Sequence, residues 1–117
     1  MKLLVVILNR EEYLGSILPI FVELGVSEAT ILESKSVGYF LAYELPVFAG
    51  LRKLANGKKT ASRIILAMIE ESFALSKFME LLREEEIDFT KPDVGIVATL
   101  VVNEVIGPKR GDFLGSR

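Results

Sequence analysis

The run LLVVIL at residues 3–8 decides the architecture. It is too short for a helix, rich in β-branched side chains and apolar at every position, which is the pattern of a strand covered on both faces in the middle of a sheet. A second run of the same kind, RIILAMI, stands at residues 63–69. Two weaker strand patterns flank these in the chain, ATILE at 29–33 and VGIVATLVV at 94–102, the latter entered through a Pro92-Asp93 turn. Beyond it, Val105 and Ile106 read as a brief further pairing.

Two stretches between the strands have helical spacing. After the first strand, Asn9 is placed to cap a helix whose first turn carries Glu11 and Glu12, favourable at the positive end of a helix dipole. Leu14, Ile17, Leu18, Phe21, Val22 and Leu24 then form one stripe, with a kink expected at Pro19 and Gly25 ending the helix. Glu70, Glu71 and Ser72 read as the start of a second helix, with Ala74, Leu75, Phe78, Met79, Leu81 and Leu82 as its apolar positions. The polar run 83–86 ends it, and its acidic triplet Glu84-Glu85-Glu86 reads as a solvated helix end.

The order β-α-β-β-α-β in one domain predicts an α+β, ferredoxin-like fold, a four-stranded antiparallel sheet with both helices on one face and the first and third strands central. Residues 1–107 make that domain and 108–117 a tail. Because the central strands are apolar at nearly every position, the other face also needs covering, which predicts an obligate oligomer.

Composition excludes much chemistry. The 117-residue chain has neither cysteine nor histidine, so disulfides, the usual zinc sites and every histidine-based triad are absent. A net charge of −2 lacks the basic excess of a nucleic-acid-binding protein. The apolar run at the start is too short for a signal peptide, with Asn9-Arg10-Glu11-Glu12 standing where a cleavage region belongs. No uninterrupted apolar run approaches the roughly 18 residues of a membrane span. The expectation is a cytoplasmic protein.

The segment between the second and third strands, VGYFLAYELPVFAGLRKLANGKK at 37–59, is unusual. Eleven of the fifteen residues 37–51 are hydrophobic and Glu44 is the only charge there, yet Gly38, Pro46, Gly50 and Gly57 punctuate it like a connection. Residues 38–45 read as a continuation of the second strand, as half of a hairpin. From Pro46 a short amphipathic helix is expected, with Val47, Phe48, Leu51, Leu54 and Ala55 on one side and Gly57 ending it. Arg52, Lys53, Lys58 and Lys59 give it a basic end. Such a helix either folds onto its own oligomer or docks on a partner, a target protein or a membrane surface. Phe40, Tyr43, Val47, Phe48, Leu51, Arg52, Lys53, Lys58 and Lys59 are the candidate docking residues.

Over residues 1–107 the chain resembles the PII-like (nitrogen regulatory protein P-II) signalling proteins. The resemblance rests on KLLVVILNREEYLGSIL at the start, GVSEATILESKSVG before the long central segment and GIVATLVVNEVIG at the end. It implies a homotrimer whose sheets pack around a threefold axis. It also implies a long loop between the second and third strands, the T-loop, that docks on target proteins, and clefts between subunits that take ATP or ADP. Where the family carries a Gly-x-Gly-Lys turn before its last strand, this chain reads Pro92-Asp93-Val94-Gly95, with Lys91 on the other side of the turn. Where the family has an Arg-x-Arg pair, this chain has Gly107 and Lys109 followed by Arg110, and Phe40 and Leu41 occupy the region of an expected glutamine. Gly38, Gly95, Lys91, Lys109 and Arg110 are the candidate contacts for a small effector such as ATP, ADP or AMP. No modification is carried over to Tyr39 or Tyr43.

The leading expectation is therefore a non-catalytic regulatory protein that binds an effector between subunits and signals through 37–59. The alternative is a ligand-free interaction trimer that keeps only its docking surface. A metal-tolerance trimer of the same plan is disfavoured by the missing histidine and cysteine, and no nucleophile-base pairing or acid-base constellation marks an enzyme.

Overall fold

A computed structural model describes residues 1–45, 47 and 62–107. Strands β1 (Lys2–Leu8), β2 (Ala29–Ser34), β3 (Ser62–Ile69) and β4 (Gly95–Val101) form one antiparallel sheet in the order β2-β3-β1-β4. The two most apolar runs are the central strands, as expected of chains flanked on both edges. Helices α1 (Leu14–Glu23) and α3 (Leu75–Glu84) pack together on one face. The chain is thus α+β with the ferredoxin-like arrangement read from the sequence.

The alternation of side chains along each strand separates two apolar sets. Leu4, Val6 and Leu8 of β1, with Ile65, Ala67 and Ile69 of β3, are buried under the helices. They meet Ile17, Ile20 and Phe21 of α1 and Phe78 and Leu82 of α3. Phe21 and Phe78 stack with ring centroids 5.4 Å apart, and Phe73 reaches Phe78 at 5.8 Å. The other set points away from the helices in three registered rows: Leu32-Ile64-Ile7-Ile96, Thr30-Leu66-Val5-Ala98 and Met68-Leu3-Leu100. Thr30 is the one polar residue among them. No described element covers this face, so among the described residues β1 and β3 are covered on one side only.

Both covering helices end in the same cap. Val26 N–H donates to the Phe21 carbonyl and Gly25 N–H to that of Val22, the paired bonds of a Schellman motif with Gly25 at φ 78°. At the end of α3, Ile87 N–H reaches the Leu82 carbonyl and Glu86 N–H that of Arg83, but the left-handed position, φ 62°, holds Glu86. A side chain there costs conformational energy that glycine avoids.

Several boundaries differ from the sequence reading. Asn9 caps no helix: its N–H instead bonds the Val94 carbonyl at 3.0 Å, Glu11–Tyr13 forms a 3₁₀ turn, and α1 starts only at Leu14. Pro19 sits inside α1, which runs through it without ending, and Val22, read as part of the buried stripe, is exposed while Ile20 is buried. Glu70, Glu71 and Ser72 do not open the second helix. They form a turn closed by Phe73 N–H on the Glu70 carbonyl, which drops Phe73 toward the core and delays α3 to Leu75. The last strand begins at Gly95 and ends at Val101, inside the range read from sequence. Val105 and Ile106 belong to no strand and are exposed.

The largest correction concerns residues 38–45. They do not extend β2; residues Val37–Glu44 form a helix, α2. The Ser36 hydroxyl oxygen accepts the Tyr39 N–H at 3.0 Å as an N-cap, and Tyr39 and Tyr43, one turn apart, pack at 4.9 Å. Lys35 bridges to Glu44, spanning the helix from end to end. A short apolar run has no period that separates strand from helix, so the cap and the one-turn pairs decided it.

Candidate functional site

The sequence candidates that lie among the described residues stand toward one end of the sheet. Glu33, Arg63, Leu8 and Gly95 stand side by side in register across all four strands. From this row the chain leaves β2 toward α2 and the long segment, enters β3, leaves β1 through Asn9 and enters β4 from the turn at 91–95. The Ser34 and Ser62 hydroxyls, 2.6 Å apart, close the outer strand pair at this end.

Gly95 has a structural reason for being glycine. A Cβ built there would lie 1.9 Å from the Ile7 carbonyl oxygen, and its φ of 148° is one that other residues rarely adopt. The close approach lets β4 start against β1. The preceding turn is set by Asp88, whose carboxylate accepts the Thr90 hydroxyl at 2.6 Å and the Thr90 N–H at 2.9 Å. Those bonds, the hydroxyl first, hold the Asp88 carboxyl below its ordinary value. Lys91 N–H continues the turn by donating to the Asp88 carbonyl, and its side chain is exposed.

Gly38 lies in the first turn of α2, exposed, with open space where a side chain would be. Phe40 is exposed, Tyr43 half-buried against Tyr39, and Val47 is 82% exposed. Lys109 and Arg110 lie outside the described residues, as do Phe48, Leu51, Arg52, Lys53, Lys58, Lys59 and the helix expected from Pro46. β4 runs toward the opposite end of the sheet, where Val102 N–H bonds the Met1 carbonyl, and the described chain ends at Gly107. The described part of one copy therefore brings the Gly38 segment and the 91–95 turn to a common end, and the approach to Lys109 leaves from the other.

The sequence reading passed over the best-defined polar group at this end. Arg63, with only 17% of its side chain exposed, holds Glu11 at 2.6 Å and Glu33 at 3.4 Å through Nη2. The bridge ties the 3₁₀ turn after β1 to the outer edge of the sheet at the root of the 37–61 segment. Local spacing makes Glu11 a helix-dipole residue and Arg63 the first residue of an apolar strand; only the strand register places them together. Arg10 lies 3.7 Å from Glu12, and Lys35 is taken by Glu44, whose hydrogen bond above all raises the lysine's pKa from its ordinary 10.5. The described cations at this end other than Lys91 thus each have a carboxylate beside them.

At the opposite end lies a depression of about 100 Å³ lined by Met1, Val26, Glu28, Met68, Glu70 and Phe73. It falls well short of the roughly 300 Å³ of the smallest ordinary small-molecule sites. Among the described residues no three carboxylates converge as a metal site would require, and no helix is long and apolar enough to cross a membrane. No protein-family model matches the chain, and a search of curated proteins found no match to it.

Proposed function

We propose that this chain is a non-catalytic regulatory protein of the PII-like kind, working as a homotrimer. Three copies turn their bare sheet faces toward one another, and a small effector, an adenine nucleotide being the first candidate, binds between subunits. The segment between β2 and β3 reports the bound state to a target protein. One observation carries this reading: a ferredoxin-like sheet with an uncovered face that is apolar but for Thr30, and at one end of it both the departure of the long segment from β2 and the turn into β4. In such a trimer Gly38, Lys91 and Gly95, with Lys109 and Arg110, are the effector contacts, and the protein acts in the cytoplasm.

A specific feature favours the second reading, an interaction trimer that has no nucleotide. Phosphate recognition rests on cations and backbone N–H groups open to the ligand. Here Arg63 and Lys35 are already engaged by carboxylates, and the turn before β4 is built on Asp88 and Asp93. Calorimetry with ATP, ADP and AMP against the purified protein, with its mass measured by light scattering, separates the readings. A trimer that binds one nucleotide with micromolar affinity supports the first. A trimer giving neither heat nor thermal shift with any of them leaves the second, and a monomer overturns both.

A further inference from the structure

Two places that the proposed function needs in communication, the turn into β4 and the root of the segment between β2 and β3, lie at the same end of the sheet but on its opposite edge strands. A run of contacts joins them across the helix-covered side. The Val94 carbonyl accepts the Asn9 N–H at 3.0 Å, and two residues further on Glu11 opens the 3₁₀ turn Glu11–Tyr13. Glu11 meets Arg63 Nη2 at 2.6 Å, and the same nitrogen lies 3.4 Å from Glu33. Glu33 stands opposite Arg63 in the strand register, and the next residue, Ser34, has its hydroxyl 2.6 Å from that of Ser62. Ser36 then caps α2.

We infer that Arg63 is a positioning residue that couples the turn into β4 to the root of the β2–β3 segment, through Glu11 on one side and Glu33 on the other. This deepens the signalling part of the function proposed above and rests on it, because it supplies a route from the turn beside the effector to the segment that reports on it.

The geometry of the group suits that role. Arg63 is 17% exposed, whereas the Glu11 and Glu33 side chains are 54% and 81% exposed, so the cation is held in place and its two partners have room to move. Largely out of water, the guanidinium is also screened less from its carboxylates than a surface cation is. Both carboxylates address one nitrogen, so drawing Arg63 toward Glu11 loosens it from Glu33, and a small displacement of the 3₁₀ turn alters the hold on the end of β2. The guanidinium is planar and always charged, which fixes the direction of both contacts where a lysine ammonium would fix neither. The competing account is that these ion pairs add stability alone and that the backbone ladder links the two places. Contiguity by itself does not distinguish the two, whereas a double-mutant cycle does.

Amide hydrogen exchange over residues 33–40 is measured in the full-length protein without ligand, with exchange in α3 as the reference for global opening. Glu11→Ala is expected to speed exchange at 33–40 at least fivefold while α3 is unchanged, although Glu11 belongs to neither β2 nor α2. Glu12→Ala, one residue on and beside Arg10, is expected to change it less than twofold. In an Arg63→Met background the effect of Glu11→Ala falls below twofold. It does the same in a Glu33→Ala background, which decides the matter if Arg63→Met does not fold. An effect of Glu11→Ala that is equally large in these backgrounds, or no effect in the wild-type protein, overturns the inference. Because no nucleotide enters the measurement, a protein that passes it yet gives no heat with ATP, ADP or AMP sinks the effector reading alone, and one that binds a nucleotide but fails the cycle sinks the coupling alone.

Discussion

The two faces of the sheet are built from alternate residues of the same strands, and they differ in what they require. Ile65 and Leu66 are neighbours in β3, both large and aliphatic. Ile65 is fully buried under α1 and α3, whereas Leu66 stands in the middle row of the uncovered face beside Val5. One face has been completed by the chain itself; the other has the composition of a core without its second layer. A sheet face this apolar is unusual for a lone domain, because contiguous exposed patches beyond a few hundred square ångströms mark interaction surfaces. The difference teaches that hydrophobicity along a strand reports total coverage, and does not report whether the cover comes from the same chain.

Substituting the two neighbours tests the contrast most severely. Ile65→Asp places a carboxylate among Leu4, Val6 and Phe21's cluster and is expected to cost about 4 kcal/mol or more, enough to unfold much of the population. Leu66→Asp is expected to leave a folded chain by circular dichroism and to shift the light-scattering mass to that of a monomer. If both variants unfold equally, the uncovered face is part of the folding core and the contrast between the faces breaks.

Gly95→Ala acts on the sheet that both faces share. The added methyl meets the Ile7 carbonyl oxygen, so β4 must lift from β1, and a loss of about 3 kcal/mol in denaturant unfolding is expected. Because β4 contributes Ile96, Ala98 and Leu100 to the open face, self-association weakens in step with stability. Loss of effector binding with full stability would mean that Gly95 acts at the effector site alone and not in the sheet.

The smallest effect is expected on the covered side alone. Glu86→Gly relieves the left-handed residue at the end of α3 and should raise stability by about 0.5–1 kcal/mol, a few degrees in Tm. Association is expected to stay unchanged, since α3 lies on the opposite side of the sheet from the open face. A change in oligomer mass with this variant would mean that the two faces are coupled.

Much of the scaffold could be read from the residues because its signals are local and redundant. LLVVIL and RIILAMI had enough β-branched apolar residues to name the central strands, and Gly25 marked the end of α1 through a backbone conformation that few other residues accept. The helix starts were misread for a physical reason. Acidic residues followed by an apolar pattern suit a helix start and a turn equally, and the choice at Glu70-Glu71-Ser72 went to the turn that lets Phe73 reach Phe78.

By itself the sequence determined the strand and helix order, the centrality of β1 and β3, the apolar surplus that one layer of helices cannot cover, and the absence of histidine and cysteine chemistry. These follow from composition and period, which are properties of neighbours along the chain. Only the tertiary structure decided that residues Val37–Glu44 are a helix, that Gly95 lies too close to the Ile7 carbonyl for any side chain, and that Arg63 lies between Glu11 and Glu33. Each depends on strand register or on a cap and one-turn contacts. Register brings together residues that are some fifty positions apart, as with Arg63 and Glu11, and no local pattern encodes it.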